Sequence, residues 1–280
     1  MIVSLRSAAA LGVVLACASA GACVDISAGE VRYIDTVEKR FSVTGTPTLK
    51  LGTFDGSVDV RTWDRPEVLV VIEKHAVDKA AADRMIVEAT QDGDLVTLNV
   101  REAREGVVRL TMGSFSARLT VTVPAQARVE ASTGDGRVSV RDLAGDLSVH
   151  TGDGSIHVEQ VSGAVRAQSG DGSIDIDGTM TSLTARSGDG SVRVHASAAP
   201  RGDWDVATGD GSVVLEVPDG FNADLDASTG DGRVRVDGVS FAEGPSERER
   251  RTLRGRLGDG GPMVTIRSGD GSITVRRAGQ

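Results

Sequence analysis

The sequence predicts an all-β fold: a parallel β-helix or solenoid with 18- to 21-residue coils, capped by an elaborated N-terminal β region. Three observations carry this. The phrase Thr133-Gly134-Asp135-Gly136 recurs with copies starting at Thr151, Ser169, Ser187, Thr208, Thr229 and Ser268, first every 18 and then every 21 residues, with a wider last gap. A fixed period of this size marks stacked repeats. Around each phrase, apolar or small residues alternate with polar ones, as in Leu147, Val149, Thr151 before and Ile156, Val158 after, which is the period of a strand with one buried face. Finally, 35 glycines with only 3% aromatic residues suit a glycine-cornered β-structure with a narrow interior.

The elements follow in order. Residues 1–22 read as an export signal, with Arg6 as the one charge and a run of apolar and small residues behind it. Both cysteines, Cys17 and Cys23, lie in or beside this leader, so the mature domain has no disulfide to form. Ala20-Gly21-Ala22-Cys23 resembles a bacterial lipobox and makes Cys23 the lipidation candidate. Ala20 stands where such boxes usually carry leucine, and ordinary cleavage near Ala22 is the other reading. Residues 23–44 read as a polar tether with one short strand near 40–43.

Residues 45–126 read as an N-terminal β region. It opens with a degenerate first coil, in which Leu49, Leu51, Thr53 and then Val58, Val60 flank Phe54-Asp55-Gly56, with Phe in place of the first glycine. After it come a strand over 67–73, a short helix capped by Asp78, a hairpin of 85–90 with 95–101, and a second pair, 107–112 with 117–123. Residues 127–277 read as the solenoid itself, with a loop insertion over 237–263 that holds the charge run Glu247 to Arg251 and a decayed corner at Leu257-Gly258-Asp259-Gly260. Within Gly-Asp-Gly the buried parity switches, so the chain turns there, and glycine's tolerance of positive φ suits such a corner. A meander of antiparallel hairpins is the rival geometry. It would not place like residues side by side, whereas a parallel stack of consecutive copies would.

For function, the sequence is mostly exclusive. Forty acidic against 31 basic residues give a net charge of −9, which argues against a nucleic-acid partner. No catalytic triad or nucleotide loop is present, and a strand, not a helix, follows each Gly-Asp-Gly. The aspartate file Asp135, Asp153, Asp171, Asp189, Asp210, Asp231 and Asp270 is the one constellation to weigh. It reads first as turn chemistry. Calcium is the sharper alternative, because carboxylates beside glycine corners also build the sites of calcium-dependent β-rolls, although those use a nine-residue half-turn. A carbohydrate-active β-helix enzyme is the third reading, but it would need a local acid/base cluster and aromatic platforms, and the chain has two tryptophans and one tyrosine. His75, His150, His157 and His195 fall at outward or loop parities without ligand spacing. No catalytic residue and no cofactor are expected.

The repeated [Thr/Ser]-Gly-Asp-Gly-[Ser/Arg]-[Val/Ile]-x-[Val/Ile] units, the Leu49 to Val60 unit and the Leu119-Thr120-Val121-Thr122-Val123-Pro124 step resemble the bacterial putative-adhesin family of β-strand-repeat proteins. The resemblance spans Gly45 to Arg277. It implies an exported β-helix-like domain of unestablished function that carries the label adhesin and supplies no catalytic residues. With the leader, the chain is expected to act as a non-catalytic scaffold or interaction surface at the cell envelope, in the periplasm, at the outer membrane or on the cell surface, contacting a protein or glycan and reaching the membrane only through a lipid on Cys23.

Overall fold

In the computed structural model, residues 33–103, 115–242 and 251–279 are described. The leader with Cys17 and Cys23, the expected strand 107–112 and most of the charge run near 247 lie outside them. In chain order the strands are β1 (Tyr33–Ser42), β2 (Thr48–Thr53), β3 (Val58–Trp63), β4 (Glu67–Ala76), then helix α1 (Lys79–Asp83), β5 (Met85–Asp92), β6 (Leu95–Glu102), β7 (Ser116–Pro124), β8 (Arg128–Thr133), β9 (Val138–Arg141), β10 (Leu147–Thr151), β11 (Ile156–Ser169), β12 (Ile174–Ser187), β13 (Val192–Ala196), β14 (Trp204–Thr208), β15 (Val213–Val217), β16 (Ala223–Thr229), β17 (Val234–Asp237), β18 (Thr252–Leu257), β19 (Met263–Ser268) and β20 (Ile273–Arg277).

The fold is all-β, and its strands form one continuous sheet bent into two facing walls. The first wall, built from strands that precede the corners, runs β5, β6, β2, β8, β10, the end of β11, the end of β12, β14, β19, β16, β18. The second, built from strands that follow them, runs β1, β4, β7, β3, β9, the start of β11, the start of β12, β13, β15, β20, β17. Pairing is parallel through the middle of each wall. It turns antiparallel where β5, β4 and β1 close one end and β18 closes the first wall at the other.

Register explains the repetition. Leu147 lies opposite Val129 and Val165, and Ile156 opposite Val138 and Ile174, so each side chain meets its own counterpart 18 residues away. The rows headed by Leu49 and Val58 face each other across a thin interior and are buried along almost their whole length. Each fully buried Val, Leu or Ile contributes about 1.5–3 kcal/mol, so the stack is held by many equal increments. Trp204 enters this row where the spacing lengthens to 21; it packs on Phe221 with ring centroids 5.8 Å apart, and its indole N–H has no hydrogen-bond partner among the described residues.

Three expectations are corrected. Consecutive copies do not all lie on one another: β19 pairs with β14 on one side and β16 on the other, so the last copy, at Ser268, sits between the copies at Thr208 and Thr229. The long connection allows this, because β18 first runs antiparallel along the outside of β16 and the chain then returns through the gap. Leu257-Gly258-Asp259-Gly260 is accordingly no coil corner but the turn from β18 to β19, with Gly258 and Gly260 at φ 55° and 80°. The tether expected over 23–44 contains β1, a ten-residue strand whose Tyr33, Val37 and Phe41 pack against the core.

In the first coil, Leu49 and Val58 are in register with Val129 and Val138, 80 residues on. The intervening chain stacks on the outside of that coil: β6 and β7 continue the walls in parallel, and β5 and β4 fold back over them. Asp78 caps α1, its carboxylate accepting from Ala81 N–H at 2.7 Å.

Candidate functional site

The corner is the element repeated most strictly, and its chemistry begins with the residue before the first glycine. Thr151 is completely buried, and its Oγ1 accepts from Gly154 N–H at 3.1 Å in its own coil. The same hydroxyl donates to the coil below, 2.9 Å from Gly134 O and 3.2 Å from Gly136 O. Ser169, Ser187, Thr208, Ser268 and Thr229 donate in the same way to Gly154, Gly172, Gly190, Gly211 and Gly271 O at 2.7–2.9 Å. A buried hydroxyl must find partners, which is why every copy opens with Thr or Ser. This ladder was not anticipated; the invariance of a hydroxyl at an inward parity was its signal.

The glycines serve close approach rather than left-handed backbone. Apart from Gly56 at φ 113°, none in the seven phrases or the Phe54 unit has a positive φ in the left-handed range. A Cβ on Gly154 or Gly172 would stand under 3.0 Å from the carbonyl of the matching glycine one coil below. The first glycines add a backbone ladder, with Gly152, Gly170 and Gly188 N–H each 2.5 Å from the first-glycine carbonyl below. The aspartates Asp135, Asp153, Asp171, Asp189, Asp210, Asp231 and Asp270 are all exposed at the rim of this corner. Among the described residues no three His, Cys, Asp or Glu side chains converge as metal ligands. Asp231, in the outermost coil, lies 3.4 Å from Arg251.

The outer face of the second wall brings together charges from different coils, most of them 18 or more residues apart in sequence. His157 lies 2.7 Å from Glu159 and 4.0 Å from Asp175, with Arg141 2.9 Å from Glu159 and Arg193 3.5 Å from Asp175. One row further, His195 lies 3.0 Å from Glu216 and 3.7 Å from Asp177, and Arg276 pairs with Glu216 from the inserted coil. The His157 hydrogen bond, backed by Arg141, holds Glu159 below the usual carboxylate range; for Glu216 the Arg276 guanidinium comes first and His195 second. His157, Glu159, Asp175 and Asp177 also line an open cleft of about 470 Å³ with Asp142 and Gln160, both of which have positive φ, 59° and 54°. On the first wall, Gly52, Ser132 and Ser148 leave a shallow depression of about 440 Å³ edged by Lys50, Glu130, Asn99 and His150. His75 stands apart, 3.4 Å from Glu73. The histidines do point outward, but only coil register reveals what they face.

A family model described as Toastrack DUF4097 matches residues 24–276. The chain belongs to the Toastrack DUF4097 family. Solved structures similar to this Toastrack chain include a putative cell adhesion protein from Clostridium sporogenes (13% identity, 88% of this chain and 100% of that chain covered, TM-score 0.40). Putative adhesins from Bacteroides fragilis (12%, 87% and 97%, TM-score 0.45) and Parabacteroides merdae (12%, 87% and 96%, TM-score 0.45) are also similar. No functionally curated protein matches it. The Toastrack match agrees with the family resemblance carried by the repeated phrase. Among its described residues no helix is long and apolar enough to cross a membrane.

Proposed function

We propose that this chain is an exported, non-catalytic β-solenoid, a parallel β-helix of 18- to 21-residue coils, that serves as a scaffold or adhesin-like interaction surface at the cell envelope. Its partner is a protein or glycan, and Cys23 is its lipid attachment point. One observation carries the reading. The interior is filled by apolar rows and a closed hydroxyl ladder, while the charge on the second wall is paired coil by coil along the stack instead of being gathered into one acid/base pair. Such a molecule offers long, regular faces.

Two measurements test this. Full-length chain and its Cys23→Ser variant are expressed in a bacterial host and fractionated; the first is expected in the membrane fraction and the second released into the periplasm. Recovery of both in the cytoplasm defeats the export reading. Purified chain is then applied to arrayed polysaccharides and envelope proteins, with binding expected and product analysis showing no cleavage; turnover of any polysaccharide overturns the non-catalytic assignment.

A further inference from the structure

Strand β1 closes one end of the second wall and, among the described residues, is paired on one side only, with β4 over its full ten residues. Val43 N–H donates to Pro66 O at 3.1 Å, which fixes the phase of that antiparallel ladder. Alternate residues of such a strand bond to the same side, and the register is unbroken. The odd residues from Tyr33 to Phe41 therefore turn their backbone toward β4. Ile34, Thr36, Glu38 and Arg40 direct their N–H and C=O groups away from β4, with no backbone partner among the described residues, and Ile34 is 56% exposed. An open edge of this length is a template for another strand.

The order of side chains along β1 is self-complementary about Val37. A second β1, antiparallel and related by a two-fold axis through Val37, sets Val37 against Val37, Asp35 against Lys39 and Tyr33 against Phe41 on one face. On the other face it sets Thr36 against Glu38. Lys39 has no ion-pair partner among the described residues, and Asp35, held by Lys74 at 3.6 Å, is still 39% exposed. Moving the register by one step places Glu38 against Glu38; the opposite step places Lys39 against Tyr33. Charge thus selects one alignment and disfavours its neighbours. We propose that β1 is the interface of a two-fold homodimer in which the second walls of two copies join into one sheet. This goes beyond the envelope reading and does not depend on it.

The test uses the full-length chain with Cys17→Ser and Cys23→Ser, so that only an introduced thiol reacts. In the proposed register the Val37 Cα atoms face each other at about 4.5 Å, as in a non-hydrogen-bonded pair, within disulfide range. Mild oxidation is expected to convert Val37→Cys to dimer at least tenfold faster than Glu38→Cys, whose Cα atoms are too far apart. Sedimentation of the chain without an added cysteine is expected to give twice the 29.0 kDa of one copy. Lys39→Glu is expected to weaken that dimer at least tenfold. Thr36→Pro, which removes only an outward N–H, is expected to give monomer with unchanged circular dichroism and melting point. A monomer at every concentration, equal cross-linking of the two cysteine variants, or a dimer indifferent to both Lys39→Glu and Thr36→Pro overturns the proposal.

Discussion

Replacing Thr151 by valine is nearly isosteric and keeps the β-branch that strands favour, so the change isolates the hydroxyl. Three bonds are lost, but unequally. Gly134 O keeps its bond from Gly152 N–H at 2.5 Å, whereas Gly154 N–H, buried and 3.1 Å from Thr151 Oγ1, is left without a partner. An orphaned buried donor costs about 1–3 kcal/mol, so we take ~2 kcal/mol for Thr151→Val. In a domain of this size each kcal/mol shifts the melting point by about 2–4 °C, which gives a drop of about 4–8 °C. Thr151→Ser keeps the hydroxyl and sheds one methyl, about 0.8 kcal/mol, hence about 2–3 °C. Thermal melts followed by circular dichroism, with urea midpoints as a second measure, separate the two. If valine and serine at 151 melt together, the ladder does not stabilise the stack and the explanation for Thr or Ser in every copy is wrong.

Gly154→Ala should cost more than Thr151→Val, at least about 3 kcal/mol, because its Cβ would meet backbone that cannot retreat without opening the stack. Gly220→Ala, at φ 71° but with open space around it, should cost only about 1 kcal/mol; comparing their urea midpoints checks the order. Asp153→Asn, at an exposed corner, should change stability by less than about 0.5 kcal/mol, and chelator should leave the wild-type melting point where it is; a drop with chelator that calcium reverses would reinstate a calcium site. Glu216, whose folded pKa is depressed by Arg276 and His195, adds stability above the ordinary glutamate value of 4.5 that is lost as pH falls through its folded pKa. Glu216→Gln should therefore show a shallower acid limb than wild type in melts below that pH, and parallel limbs would remove the effect.

The walls were legible because period-two alternation and a fixed spacing are local signals, and Leu147, Val149 and Ile156 lie where those signals put them. The Thr and Ser parity was visible too, although its purpose was not, since the carbonyls to which Thr151 donates lie in the preceding coil. Glycine misled in a specific way: positive φ and close backbone approach both demand it, and no sequence separates them, yet at Gly154 the second applies. The charge rows of His157 and His195 depend on which coils touch, so they could be read only after register was known. Insertion of the Ser268 copy was hidden because strand order in a parallel stack is free wherever a connection is long enough to reach past a neighbour.

That order is also where the architecture is most exposed to disproof. Asp205 and Asp226 each lie opposite Thr265 but are two strand spacings, about 9.6 Å, from one another. Paired cysteines in a chain otherwise freed of Cys17 and Cys23 read this directly. Asp205→Cys with Thr265→Cys, and Asp226→Cys with Thr265→Cys, should both form disulfides under mild oxidation, while Asp205→Cys with Asp226→Cys should not. Ready cross-linking of 205 to 226 and of 226 to 265, with 205 unreactive toward 265, would mean that the copies stack in simple chain order and that the in-register scheme built on β19 is wrong.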